Sequence, residues 1–175
     1  IRSYSYNTIR NYITYVPQNP LLLNDSIKNN ITLCNDKFSE EDIIKAAKQA
    51  EIHDFITLLP DDYNTIIGDR GCNLSGGQQQ GISLTRAFIK DSPILLIDEG
   101  TAALDPELES NVMSNIINNM NDKTMIIVSH KISTVLNADY IYVFNDGKII
   151  ESGNPKELFL RNGYFRSMAN LQNIK

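Results

Sequence analysis

Asp98 and Glu99 stand side by side at the end of Ile94-Leu95-Leu96-Ile97, a short continuous apolar run. Adjacent carboxylates at the end of a buried strand suit nucleotide hydrolysis. One acid orients Mg2+ or its water shell, and the other positions or activates the attacking water. A strand running into a solvated acidic turn has the same look. His130 follows a second apolar run, Met125 to Val128, by way of Ser129. It is either a catalytic group at the same sheet edge or an ordinary polar terminus. Ser75-Gly76-Gly77 opens a helical stretch, where free backbone N–H groups and the helix dipole favour an anion. No lysine follows those glycines to meet a terminal phosphate. Gln18 sits just past Pro17, where a glutamine is ordinarily no more than solvated.

These groups act together only if strands and helices bring them together. Tyr12 to Val16, rich in β-branched and aromatic residues and stopped by Pro17, predicts a strand. Ser39 with Glu40, Glu41 and Asp42 is a capping-box-like start, and Ile43, Ala46, Ala47 and Ala50 fall on one helical face. A second helix is expected from Ser75 or Gly76 through Ile82, Leu84 and Phe88 to about Ile89, with irregular chain between the two. Ile94–Ile97 and Met125–Val128 have the character of fully buried parallel strands, whose carboxyl ends gather active residues in open α/β sheets. Asp105 as N-cap and Pro106 as first helical residue open a helix with the stripe Leu108, Val112, Ile116 and Met120. Tyr140–Phe144 and Lys148–Glu151 flank an Asp-Gly turn and read as a hairpin, and Pro155 opens a final helical region. The sum is a mostly parallel α/β core with a helical insertion after the first strand.

Composition narrows the partners. With 175 residues, 42% of them hydrophobic, the chain can bury one sizeable core. The net charge of −5 and the lack of a basic run argue against a nucleic-acid or anionic-lipid surface. Cys34 and Cys72 lie far apart, and with His53 and His130 they make no zinc pattern, which favours a reducing compartment. No stretch reaches the length of a membrane span, and no signal peptide is visible. The sequons NDS, NIT and NLS are short enough to arise by chance in an Asn-rich chain.

The joint order of these features resembles the nucleotide-binding domain of ATP-binding cassette (ABC) transporters. The residues that carry it are YVPQNP (Tyr15 to Pro20), similar to the family's Q-loop, and LSGGQ (Leu74 to Gln78), its signature. ILLIDEGTAALD (Ile94 to Asp105) is similar to the Walker B and D-loop, and SHK (Ser129 to Lys131) to the H-loop. LLLNDSIKNNI, TIIGDRG and ADYIYVFNDGKIIESGNPKELF are each close to the exporter pattern, TIIGDRG matching the X-loop usually written TxVGERG. The resemblance runs over nearly the whole chain and implies a P-loop NTPase-like fold with a mostly parallel sheet. It places the α/β core and C-terminal helices at 1–20 and 90–175 and a helical subdomain at 21–89.

What it implies for function is ATP hydrolysis coupled to export, with ATP and Mg2+ as cofactors. Two such domains pack head to tail, and each ATP meets the signature of the other copy. Ser75, Gly76, Gly77 and Gln78 would then contact ATP bound to the partner, with the glycines letting backbone approach closely. Asp98 would hold the Mg2+ shell, Gln18 would sense Mg2+ or water, Glu99 would be the general base, and His130 would brace the γ-phosphate. Asp105 would join the two sites. The implied partners are a second nucleotide-binding domain and a transmembrane domain, at the cytoplasmic face of a membrane. The phosphate-binding G-x-x-x-x-G-K-[ST] is absent; the single Gly-Lys pair, Gly147-Lys148, lies in the hairpin. The chain, which begins at Ile1 rather than Met, is therefore expected to be the C-terminal part of such a domain, inactive alone. A non-catalytic remnant that only partners a complete domain, and a soluble ABC ATPase, are the alternatives. The sequence departs from the family at Gln79-Gln80-Gly81, where RQR is usual, at Gly100, where Ala or Pro is usual, and at Ala102, where Ser is common.

Overall fold

The computed structural model describes residues 3–119 and 122–174, which fall into two compact units, 1–128 and 129–175. In the first unit, helix α1 (Tyr6–Tyr12) leads into strand β1 (Ile13–Val16), followed by the helices α2 (Ile27–Thr32), α3 (Glu40–Gln49) and α4 (His53–Thr57). Helix α5 (Gly76–Lys90), strand β2 (Ile94–Asp98), helix α6 (Pro106–Asn119) and strand β3 (Thr124–Val128) complete it. The strands form one parallel sheet in the order β1-β2-β3.

Local chemistry sets the helix starts. Ser39 Oγ accepts from Asp42 N while the Asp42 carboxylate accepts from Ser39 N at 3.0 Å, the reciprocal capping box the sequence suggests. Ile43, Ala46, Ala47 and Ala50 are all buried, as their spacing requires. Asp105 caps α6 through Leu108 N (3.0 Å), and Val112 and Ile116 are buried; Met120 lies outside the described residues. The three shorter helices α1, α2 and α4 are not foreseen from periodicity, because five to seven residues show too little of the 3.6-residue repeat. Ser5 and Ser26 cap the first two.

The central strand β2 meets the expectation of full burial on one face only, with Leu95 and Ile97 buried and Ile94 and Leu96 half-buried. β3 departs from the expectation of a fully buried strand. Ile126 is 49% and Val128 51% exposed, alternating with half-buried Met125 and Ile127. An apolar run buries both faces only where both are covered, and at this sheet edge one face of β3 is not, among the described residues.

The second unit contains helix α7 (Ile132–Val135), strands β4 (Ile141–Asn145) and β5 (Lys148–Gly153), and helices α8 (Pro155–Leu160) and α9 (Tyr164–Leu171). The strands pair antiparallel across Asp146-Gly147, both at positive φ, as a two-residue hairpin turn of the primed kind demands. Ile132, Ile141, Leu158, Phe165 and Ala169 form its core. The Glu151 carboxylate accepts from the backbone N–H groups of Tyr164 and Phe165 at the start of α9.

Candidate functional site

The parallel register of β1 and β2 sets Val16 beside Ile97, so both strands end at the same level. Gln18 is thereby carried past β1 to the residue that follows β2. Its Nε2 donates to Glu99 Oε2 at 2.5 Å. Tyr15 Oη donates to Asp98 Oδ2 at 3.0 Å, and this bond to a carboxylate, with slight desolvation and the negative charge, raises the phenol's pKa. The sheet edge thus brings Gln18, Asp98 and Glu99 together, with Tyr15 as a neighbour the sequence did not single out.

Glu99 has a left-handed backbone (φ 48°), which costs a non-glycine residue about 1–2 kcal/mol. Glu99 N donates to Val128 O (2.9 Å) and Glu99 O accepts from Ala102 N (3.0 Å), and these bonds hold the turn that swings the carboxylate away from the strand. Gly100 comes next, and a Cβ there would lie 2.5 Å from Val16 Cγ1. The turn packs too closely on β1 for a side chain, which accounts for glycine where the family commonly has alanine or proline.

Ser75 is the N-cap of α5. Its Oγ accepts from Gln78 N (3.3 Å) and Gln78 Oε1 accepts from Ser75 N (2.8 Å). An accepting hydroxyl keeps its own hydrogen to donate elsewhere, and Ser75 and Gly76 are exposed. A Cβ on Gly77 would sit 3.1 Å from Ala103 O, so this glycine lets the helix approach the loop between Glu99 and Asp105. Asp105 itself serves as the N-cap of α6. His130 is exposed and belongs to the second unit, where its backbone carbonyl accepts from Gln172 Nε2 at 2.8 Å.

Two side chains that frame the site were missed. Gln80 is buried and bonds backbone groups of Gln18, Glu99 and Ala103. Arg86 reaches from α5 to Leu21 O (2.7 Å), Asn30 O (2.6 Å) and Asn30 Oδ1 (3.0 Å), and burial lowers its pKa to about 10. Asn30, fully buried, also accepts from Leu23 N and donates to Leu23 O. A polar residue on the buried face of a helix was the available signal, and Gln80 and Asn30 both give it. Among the described residues no group of three or more His, Cys, Asp or Glu is arranged to hold a metal.

Residues 1–102 match the ABC transporter family model, and the chain belongs to that family. It is 42% identical over 172 residues to an ATP-dependent lipid A-core flippase of Desulfotalea psychrophila, covering 98% of this chain and 30% of that one. It is 40% identical over 174 residues to a protein provisionally named a multidrug export ATP-binding/permease protein, from Staphylococcus aureus, again covering 30% of that relative. The fold superposes on a bacterial Atm1-family ABC exporter solved with ATP bound, with a TM-score of 0.92 and 36% identity over 97% of this chain and 30% of the other. The chain therefore spans about a third of the length of the relatives it matches. No helix among the described residues is long and apolar enough to cross a membrane.

Proposed function

We propose that this segment supplies the signature and most of the hydrolytic residues of an exporter's nucleotide-binding domain, acting at the cytoplasmic face of a membrane on which a transmembrane domain is driven. The observation that carries this reading is the meeting of Gln18 with Glu99 at the shared end of two parallel strands, beside Asp98. A carboxylate held by a neutral amide keeps a defined direction, as a general base aimed at water needs. Glu99 is that base, and Gln18 holds its carboxylate. Asp98 and the Gln18 amide are hard oxygen donors of the kind Mg2+ takes, and so few protein ligands suit an ion that otherwise relies on phosphate and water. When bound, Mg2+ would neutralise phosphate charge; Asp98, oriented by Tyr15, would hold its shell.

Residues 21–89 we read as the helical subdomain that presents the signature. Ser75, with its hydrogen to give, and the N–H groups of Gly76 and Gly77 would receive the phosphates of ATP carried by a second copy or a related domain, with Gln78 close by. His130 would brace the γ-phosphate of ATP, and Asp105 would bridge the paired domains. Without a G-x-x-x-x-G-K-[ST] the 175 residues alone are expected to turn over no ATP.

Glu99→Gln in the full-length transporter tests the reading. ATP should still bind, and turnover should fall by roughly two to four orders of magnitude, the span general base catalysis supplies. Wild-type turnover in that variant would refute the assignment of the base, and brisk hydrolysis by the isolated segment would refute its dependence on the missing loop.

A further inference from the structure

The Gln80 side chain, 3% exposed, sits on α5 five residues beyond Ser75 and is satisfied by backbone from separate segments. Nε2 donates to Gln18 O at 3.2 Å, past the end of β1. It also donates to Glu99 O at 3.4 Å, past the end of β2. Oε1 accepts from Ala103 N at 2.8 Å, in the loop that leads to Asp105. Gly77, three residues earlier on α5, rests against Ala103 O, so the helix grips that loop at two levels. Five helical residues span about 7.5 Å along the axis, and a helix moves as a rigid rod over that distance.

We infer that Gln80 is a positioning residue that ties the signature helix to the turn carrying Glu99 in the same chain. The inference rests on the proposed function. The signature end of α5 faces a nucleotide held by the other domain, whereas Gln18 and Glu99 serve the nucleotide on their own domain. One buried carboxamide thus joins the element that reads one ATP to the turn that hydrolyses the other. A shift of the signature end on ATP engagement is passed to the backbone of Gln18 and Glu99. Glu99 holds a left-handed backbone tied by hydrogen bonds at both its N–H and its carbonyl, and its carboxylate follows any shift of that turn. A merely structural Gln80 would instead fill a gap and satisfy buried groups, with no consequence for the chemical step.

Gln80→Glu and Gln80→Met in the full-length transporter separate these roles. The glutamate keeps the acceptor for Ala103 N–H but sets a carboxylate against the carbonyls of Gln18 and Glu99. The methionine keeps the volume and loses every bond. The positioning role predicts, in a folded variant, a fall in kcat of about tenfold or more with KM for ATP within about twofold, the pattern of a reaction geometry lost without loss of substrate binding. Unchanged kcat per folded molecule overturns the inference. So does a KM that rises in step with the loss of kcat, or failure of both variants to fold. Wild-type protein and Glu99→Gln are measured alongside. If the wild type does not hydrolyse ATP, or Glu99→Gln still does, the proposed function fails; if both behave and the Gln80 variants are silent, only this inference fails.

Discussion

Gln18 and Glu99, from loops that follow different strands, meet through a hydrogen bond of 2.5 Å. The contact exists because β1 and β2 are parallel neighbours in a register that ends both at one level. It makes Gln18 a partner of the proposed base as well as the expected sensor of Mg2+ or water.

Gln18→Ala should therefore leave the Glu99 carboxyl in place but poorly aimed. A loss of kcat of roughly tenfold to a hundredfold is expected in the full-length transporter, with ATP binding near normal. Single-turnover hydrolysis compared with equilibrium nucleotide binding checks it, and equal losses in both would point to a defect in binding.

Asn30 and Arg86 form a polar cluster that closes α2 onto α5. Asn30→Ala strips Arg86 of one acceptor and Leu23 N–H of its partner inside the fold. A destabilisation of about 2–4 kcal/mol is expected from buried groups left unsatisfied. Arg86→Lys should not be mild, since one ammonium cannot span Leu21 O, Asn30 O and Asn30 Oδ1 as the planar guanidinium does. Denaturant unfolding of the intact nucleotide-binding domain measures both.

Gly81 replaces a residue that is usually arginine in the family, and the structure gives the reason. A Cβ there would lie 2.5 Å from Ile52 Cδ1 and 3.2 Å from Ile52 Cβ, and Ile52 is buried. Gly81→Ala should forfeit the roughly 1 kcal/mol that alanine brings to a helix, because overpacking costs about 1–3 kcal/mol. With Ile52→Val or Ile52→Ala in place, the same change should become neutral or stabilising. A double-mutant cycle in thermal unfolding reads the coupling; additive effects would show that the two side chains do not compete.

Asp42 completes the capping box of α3 and carries a pKa held below the ordinary carboxylate range, chiefly by the Ser39 hydroxyl and then by the Ser39 N–H, against a slight opposing desolvation. A depressed folded pKa means stabilisation that is complete above the unfolded value, about 3.9, and fades as pH falls through the lower folded value. Asp42→Asn should weaken α3 at neutral pH and flatten its loss of protection below pH ~4. Amide exchange along α3 as a function of pH provides the check.

Much of this was legible in the chain itself because the governing interactions are local. Ser39 and Asp42 are three residues apart, Asp105 precedes Pro106, and Asp146-Gly147 admits one kind of tight turn. The sheet strands announced themselves as apolar runs, and the family resemblance located the signature and the paired acids. The sequence misled on β3, where an apolar run implied cover on both faces, and for Gln80 it offered only a polar residue on a buried helix face, with nothing to say of its partners.

The identity of the groups able to do chemistry, and the caps and turns that aim them, were determined by the sequence alone, since each depends on side chains within a few residues. Which of those groups touch was decided only by tertiary structure. The joining of Gln18 to Glu99 depends on the register of strands some eighty residues apart. The fit of Gly81 and Gly100 depends on Ile52 and Val16 arriving from elsewhere. Hydrogen bonds and close packing act over a few ångströms in space whatever the distance along the chain, and residue spacing carries no record of them.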